Sequence, residues 1–173
     1  MRNLKIGVRL NLVSLAALVG LGLVLALSLF RLDAVMHKGV ETSTRHTVEI
    51  GHTLLSHYQK LESEGKLSRA AAQAAARDAV KAIRYGENEY FFILDMQQHM
   101  VAHATSPEIE GNDVGQLTDA NGEYLFQQMV DTARTNGEGF VSYHWSEKVG
   151  SEPKPKLSYV KAFKPWGWVI STG

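Results

Sequence analysis

The feature that most constrains this chain is an apolar segment near its start, LNLVSLAALVGLGLVLALSLF, residues Leu10–Phe30. Its only polar side chains are one asparagine and two serines. A helix of this length rises about 1.5 Å per residue and spans a hydrocarbon core about 30 Å thick. The sequence therefore predicts a transmembrane helix over residues 10–30. A cleaved signal peptide is the alternative, since Ala26–Ser28 resembles a cleavage site, but secretory apolar regions run only about 7–15 residues.

Basic residues ahead of the segment predict its orientation. Arg2, Lys5 and Arg9 all precede it within a short tail. Positive charge beside a membrane helix marks the cytoplasmic side. Residues 1–9 are therefore predicted as a cytoplasmic tail, and residues 31–173 as one extracytoplasmic domain.

Charge and cysteine content exclude several classes of protein. The chain has 18 Lys+Arg and 18 Asp+Glu, and three of the basic residues lie ahead of the apolar segment. The predicted domain is thus mildly acidic, and no basic field suggests a nucleic-acid partner. Because there is no cysteine, a disulfide framework, a thiolate metal site and a cysteine nucleophile are excluded.

Two helices are predicted after the apolar segment. Apolar residues recur at a rough three-four spacing over residues 32–65, without proline, which predicts one long helix. Weakly polar residues interrupt the apolar face of this helix. The resulting surface suits packing against a parallel partner helix. The alanine-rich segment SRAAAQAAARDAVKAIRYG predicts a second helix, with Ser68 as its N-cap and Gly86 at its end.

The rest of the chain, after Gly86, predicts a sheet with one inserted helix. Residues 105–121 are predicted as a surface loop of the length that usually carries function. Residues 146–156, rich in lysine, proline and glycine, are predicted as a connection. A short amphipathic helix is predicted over residues 123–134, and strands over residues 90–94, 99–104, 139–145, 157–163 and 168–172. The fold class is therefore α+β, a long N-terminal helix pair packed on a five-stranded antiparallel sheet.

Five ordered blocks between residue 32 and the end of the chain resemble the single Cache sensor domain of bacterial chemoreceptors and sensor kinases. The blocks are RYGENEYFFILD, VAHA, EGNDVGQLTDANGEYLFQQMV, GEGFVSYHW and LSYVKAFKPWGWVISTG. The resemblance implies an extracytoplasmic, PAS-like domain that recognises small carboxylates. In that family the domain leads into a second membrane helix, a HAMP linker and a signalling region. We expect the output region outside these residues, so its type stays open.

The segment SYVKAFKPWGWV places a lysine among aromatic residues. Tyr159, Lys161 and Phe163 alternate and share one face of the predicted strand. An unpaired ammonium in an apolar pocket costs several kcal/mol or loses its proton, so it requires an anion. Together with the resemblance, this predicts that Lys161 binds a ligand carboxylate. The alternation alone leaves open an edge position, or a side chain that reaches solvent along its aromatic neighbours.

Further ligand-binding candidates surround the predicted loop. His103 ends the second strand and can donate to a carboxylate, although a surface or structural histidine fits equally well. The aromatic candidates bring apolar walls with polar tips, and core packing is the alternative for each. They are Tyr85, Tyr90, Phe92, Tyr143, Trp145 and Tyr159. Arg84 is the last candidate; it either pairs with a carboxylate, caps its helix, or pairs with Glu87 or Glu89.

No enzymatic function is predicted. The histidines of the long helix do not recur at the spacing of three or four that stacks metal ligands, and no serine or acid pair has a catalytic context. Neither a cofactor nor a metal is predicted.

The sequence therefore predicts the ligand-binding sensor region of a bacterial transmembrane chemoreceptor in the inner membrane. Its predicted partners are a small organic acid of the acetate, propionate, pyruvate or lactate class, the membrane, and a second copy in a parallel homodimer. The alternatives are the sensor domain of a histidine kinase or cyclase, a secreted small-molecule-binding module, and a structural domain without a ligand.

Overall fold

The structure is a computed structural model. It describes residues 6–86, 88–146 and 152–173, without the side chains of residues 8–10, 12, 13, 16, 29 and 32–37. The chain divides into two units, Met1–Val40 and Glu41–Gly173.

The first unit contains the beginning of helix α1, which runs from Ile6 to Ser63. Large apolar side chains along it are exposed, among them Leu18, Leu21 and Phe30. The predicted membrane span falls in this part of α1, and residues 1–5 of the predicted tail lie outside the described residues. Within the part of the chain that the structure describes, no helix combines the length and the apolar character needed to cross a membrane.

The second unit is an α+β domain whose elements follow the predicted order. Ser68 caps the second helix as predicted, because its hydroxyl accepts a hydrogen bond from the Ala71 amide at 3.2 Å. That helix ends earlier than predicted, since Tyr85 instead pairs with Glu89 in an isolated bridge. The helices after α1 are α2 (Arg69–Ala82) and α3 (Leu125–Asn136).

Five antiparallel strands form one sheet, which confirms that prediction within the described residues. The strand order is β2-β1-β5-β4-β3, so β3, β4 and β5 make the predicted meander. The strands are β1 (Phe92–Asp95), β2 (Met100–His103), β3 (Glu138–Trp145), β4 (Lys154–Phe163) and β5 (Trp168–Thr172).

The sheet separates two apolar clusters. On one face, Phe91 and Ile93 pack in a cluster with residues of α1 and α2, including Val48 and Val80. On the other face, Phe92 and its alternate neighbours pack with residues of α3. Side chains alternate between the faces of a strand, so each strand contributes to both layers.

The helix face of the sheet is tightly packed at Gly51 of α1. A Cβ atom at this position would lie 2.7 Å from Cδ1 of Ile170 and 2.9 Å from Cε1 of Phe91. Both distances are shorter than van der Waals contact, so only glycine lets α1 lie this close to β1 and β5.

Strand β4 begins three residues earlier than predicted. Lys154–Lys156 pair with residues 143–145 of β3, so the prediction of a connection is wrong for these three residues. On its other side, β4 pairs with β5 only over residues 159–163. Proline is tolerated at position 155 because this part of β4 pairs with β3 only, so its other edge needs no amide donor. The predicted connection over residues 147–151 lies outside the described residues.

Candidate functional site

A pocket lies on the α3 face of the sheet. It holds about 190 Å³ of space not filled by atoms, including its open mouth. Its lining is mostly aromatic and comes from β1, β2, β3, the segment before β1 and the start of α3. The lining residues are Tyr90, Phe92, His103, Leu125, Phe126, Tyr143 and Trp145.

Strand register brings the aromatic walls together. Phe92 of β1 lies opposite His103 of β2, and their rings stack with centroids 5.7 Å apart. Tyr143 and Trp145 are two residues apart on β3, so they share a face, with ring centroids 6.4 Å apart. Phe126 closes the pocket from α3, with its ring 6.1 Å from that of Trp145. The walls are therefore set by backbone pairing and one docked helix.

The loop that leads into α3 is tied to the edge strand β3 through Asp119. One oxygen of its carboxylate accepts hydrogen bonds from the amides of Asn121 and Glu123, and the other accepts from the His144 amide at 2.9 Å. The His144 amide is the main group that lowers the pKa of this carboxyl. This connection positions the first turn of α3 over the pocket.

Tyr143 presents a buried hydroxyl. Its oxygen lies 2.8 Å from Oγ of Ser158, which is fully buried on β4. Burial raises the pKa of the Tyr143 phenol. The hydroxyl is therefore protonated, and Ser158 is its hydrogen-bond partner among the described residues.

His103 is a buried polar residue of the pocket lining and is only 2% exposed. Its Nδ1 accepts a hydrogen bond from the Ser106 amide at 3.0 Å. Burial, and then the charge of Lys156, lower the pKa of His103 to about 4, while Glu110 opposes them. The ring is therefore neutral at physiological pH.

Lys156 of β4 supplies the positive charge. It lies opposite Tyr143 in the pairing of β3 with β4, and its ammonium is 4.8 Å from the centre of the Tyr90 ring. This distance is that of a cation–π contact. Among the described residues, no carboxylate forms an ion pair with it. One cation thus lies beside a pocket whose lining combines a neutral histidine and two phenols with apolar walls.

Five of the predicted site residues meet at this pocket. They are Tyr90, Phe92, His103, Tyr143 and Trp145. Alternation paired Tyr90 with Phe92 and Tyr143 with Trp145, and the position of His103 at the end of the second strand made it a further candidate.

The predicted placement of Lys161 is wrong. Its ammonium contacts the Glu138 carboxylate, which lies directly opposite on β3, so the charge is already balanced. The pair lies on the face that packs against α1, where Lys161 also lowers the pKa of His52, after burial. The sequence interpretation missed this partner because it started the third strand at Gly139.

Tyr159 shares that face and does not reach the pocket. Its ring packs against Phe140 with centroids 4.7 Å apart, and it belongs to the cluster of α1 and α2. Strand alternation puts residues 159 and 161 on one face of β4 and residues 156, 158 and 160 on the other. Core packing, the alternative stated for Tyr159, therefore describes its contacts.

Arg84 and Tyr85 also lie away from the lining. The Arg84 guanidinium donates to the carbonyl oxygens of Lys81 and Ile83, at 2.7 and 2.8 Å, so it caps the end of α2. It also donates to the Ala104 carbonyl at 3.1 Å. The Tyr85 hydroxyl bonds to Thr172, and its ring packs on the helix side.

Sequence reasoning missed Lys156, Leu125 and Phe126. The two apolar residues were assigned to an amphipathic helix, and their docking over the pocket is a tertiary feature. Lys156 had a usable signal: it is two residues before Ser158, so it lies on the face opposite Lys161 if the strand extends that far. The Lys-Pro-Lys composition hid this extension.

The chemistry available here is recognition of a small anion. Among the described residues, no group of three histidine, aspartate or glutamate side chains could hold a metal ion. The donors are the ammonium, the imidazole and the phenol, and these can surround a carboxylate. Apolar walls then limit the size of the group attached to it.

Known proteins share this architecture. The family model named Single Cache domain 2 matches residues 36–173. The methyl-accepting chemotaxis protein McpP of Pseudomonas putida is 39% identical over 176 aligned residues, which cover all of this chain and 32% of that protein. The chain thus spans about a third of the length of this relative.

Two solved structures are similar in sequence and in fold. One is described as the structural basis for carboxylic acid recognition by a Cache chemosensory domain. It has 39% identity and a TM-score of 0.76, and the match covers 80% of this chain and 94% of that one. The other is a periplasmic sensor domain of a chemotaxis protein, with 41% identity, a TM-score of 0.72, and coverage of 76% and 92%.

Proposed function

Because this chain belongs to the Single Cache domain 2 family, we propose that it is the ligand-binding sensor region of a bacterial transmembrane chemoreceptor and that its pocket binds a small carboxylate. The observation that carries the proposal is Lys156, an ammonium beside the aromatic pocket with no carboxylate partner among the described residues. The similar Cache domain described as recognising carboxylic acids supports the choice of an acid.

The apolar part of the lining supports a short acid. Leu125, Phe126 and Trp145 line the pocket together with the polar groups. One carboxylate satisfies the single cation, and a second carboxylate would be desolvated against apolar walls at a cost of several kcal/mol. Acetate, propionate, pyruvate and lactate therefore fit the proposal better than dicarboxylates.

The test is a titration of the purified domain with these acids and with succinate as a matched dianion. Binding of a monocarboxylate also raises the melting temperature by mass action when the acid greatly exceeds its dissociation constant. Saturable heat and a rising melting temperature with one of the short acids support the proposal. Absence of both signals for every acid at millimolar concentration would refute it.

We propose that β4 carries the signal from the pocket to α1. Lys156 lies on its pocket face, and Tyr159 and Lys161 lie on its α1 face. A ligand that moves Lys156 therefore acts on the same strand that contacts the long helix. In this proposal, binding shifts the balance between two packings of α1.

A parallel homodimer through α1 completes the proposed receptor. Exposed residues recur on this helix at the three-four spacing of one face: Ser43, His46, Ile50, Thr53 and His57. The chain has no cysteine, so single cysteines at positions 50 and 53 report directly on this face, with the buried position 55 as control. Cross-linking at 50 or 53 whose rate changes with propionate supports the proposal; equal rates at all three positions argue against it.

Residues 10–30 are the proposed anchor in the inner membrane, with residues 1–9 in the cytoplasm and residues 31–173 in the periplasm. The support is the uninterrupted apolar segment and its three preceding basic residues. Membrane fractionation with N-terminal sequencing tests it: an uncleaved chain in the membrane fraction is expected, whereas a mature soluble protein starting near residue 28 contradicts it.

A further inference from the structure

His103 forms hydrogen bonds with the chain segment just after it. Its Nδ1 accepts from the Ser106 amide at 3.0 Å and lies 3.5 Å from the Thr105 hydroxyl oxygen. The backbone amide of His103 donates to Oε1 of Glu110 at 2.7 Å. Glu110 is fixed in turn by Lys81 of α2, whose Nζ is 2.8 Å from the carboxylate. The backbone of His103 is thus connected to α2 through the Glu110 carboxylate.

The Ser106 contact determines where the imidazole carries its proton. An amide N–H only donates, so Nδ1 must accept and cannot carry a hydrogen. A neutral imidazole then has its proton on Nε2. An imidazolium would place two hydrogens against each other at Nδ1, and the nearby Lys156 ammonium disfavours the charged ring further.

The other ring nitrogen is available to a ligand. Among the described residues, Nε2 of His103 has no hydrogen-bond partner. Every fully buried side-chain nitrogen or oxygen there does have a partner, so Nε2 is not fully buried. The ring forms part of the pocket lining, beside Tyr90 and Phe92. An Nε2–H group in this position donates into the space that the ligand occupies.

We propose that Glu110, held by Lys81, and the Ser106 amide are the positioning groups that set His103 as a neutral Nε2–H donor to the ligand carboxylate. The part of this inference in which Nε2–H donates to a ligand carboxylate rests on the proposed function. The part that assigns the tautomer concerns the ligand-free protein and does not depend on the proposed function.

The groups that face His103 make its role independent of pH in the physiological range. Lys156 on β4 and burial disfavour its protonation, and Glu110 favours it. Tyr90 and Tyr143 also line the pocket beside His103, and burial raises the pKa of the Tyr143 phenol, so it stays neutral in this range. A short carboxylic acid is ionised across the same range, so neither partner changes charge between about pH 6 and about pH 8.

Nitrogen NMR of the ligand-free domain, labelled at histidine, tests the tautomer. The His103 signals are assigned by their absence from a His103→Gln variant. We expect one nitrogen in the protonated range and one in the unprotonated range, with the proton coupled as Nε2–H and unchanged between about pH 6 and about pH 8. An Nδ1–H tautomer, or titration within that range, overturns the inference even if the domain binds acids.

Glu110 variants test the positioning role in a titration with propionate. If Glu110 acted only by its charge, Glu110→Ala would strengthen binding of an anion, because a repelling charge is removed. Positioning predicts the opposite: about tenfold weaker binding, and an altered His103 tautomer population in the NMR spectrum. Glu110→Gln keeps an oxygen acceptor for the His103 amide and is expected to restore affinity to within about twofold of the unmodified protein.

The matched control is Glu108→Ala, an exposed acidic residue on the same short turn. It removes the same charge two residues away and should leave both affinity and tautomer unchanged. If Glu110→Ala does not fold, as judged by thermal unfolding, Lys81→Met provides the second variant, with the same expected direction and a smaller loss. Tighter or unchanged binding in folded Glu110→Ala, or equal losses in Glu110→Gln and Glu110→Ala, would overturn the positioning role.

Discussion

Lys156 and Lys161 lie on one strand, five residues apart, and their side chains leave opposite faces of the sheet. Lys161 contacts the Glu138 carboxylate on the face that packs against α1. Lys156 lies over the Tyr90 ring on the face that packs against α3. An odd separation in a strand always produces this result, because side chains alternate with a period of two. One charge therefore belongs to the pocket and the other to the contact with the long helix.

The hydrogen bond between Tyr143 and Ser158 stabilises the wall of the pocket. Tyr143→Phe leaves the fully buried Ser158 hydroxyl without its partner, so the free energy of unfolding should fall by about 1–2 kcal/mol. Chemical denaturation measures it. Adding Ser158→Ala to Tyr143→Phe removes the unpaired group and should recover part of the loss, whereas additive losses would show that the two hydroxyls do not interact.

Stability should depend on pH through His103. The unfolded chain takes up a proton at this residue near pH 6.5, and the folded protein only near pH 4, because burial lowers the pKa to about 4. The unfolded state thus binds more protons between these values, so the free energy of unfolding falls as the pH drops through that window, by at most on the order of 3 kcal/mol.

His103→Gln isolates this contribution, since glutamine does not titrate. Denaturation between about pH 7 and about pH 4 should show a shallower fall in the variant than in the unmodified protein. Parallel curves would mean that His103 has an ordinary pKa in the folded domain, and they would also weaken the assignment of its tautomer.

The pocket should select acids by length through Phe126. Phe126→Leu removes the ring that packs edge-on against Phe92 and Trp145 and so enlarges the pocket that Phe126 lines. Each methylene that the enlarged pocket accommodates is worth about 0.8 kcal/mol, or about fourfold in affinity. Competition titrations should therefore show a shift in preference from acetate towards butyrate.

Leu117→Ala is the control for this shift, because Leu117 is exposed on the loop before α3. It should leave the ratio of butyrate to acetate affinity unchanged. If folded Phe126→Leu also keeps the original ratio, α3 does not limit ligand length.

The sequence was sufficient to predict the sheet, because aromatic and branched residues are concentrated in β1, β3 and β5. It also paired Tyr90 with Phe92 and Tyr143 with Trp145, since residues two apart share a face. Alternation assigns residues to faces without saying which face meets the long helix. The prediction that Lys161 faces the pocket depended on that missing information.

Two further errors have local causes. Lys154–Lys156 form the first part of β4 although lysine and proline are weak strand formers, because pairing with β3 overrides composition. Leu125 and Phe126 reach the pocket because Asp119 ties the preceding loop to the edge of β3. Such a long-range contact leaves no periodic signal in the sequence.

Titration calorimetry with propionate on the unmodified domain, Lys156→Met and Lys161→Met tests the central claim most directly. Both substitutions remove one positive charge from the same strand and keep a similar side-chain length. Loss of a charge-assisted contact should weaken binding by at least about tenfold in Lys156→Met, while Lys161→Met stays within about twofold of the unmodified protein. Loss of binding in Lys161→Met with full affinity in Lys156→Met would contradict the account.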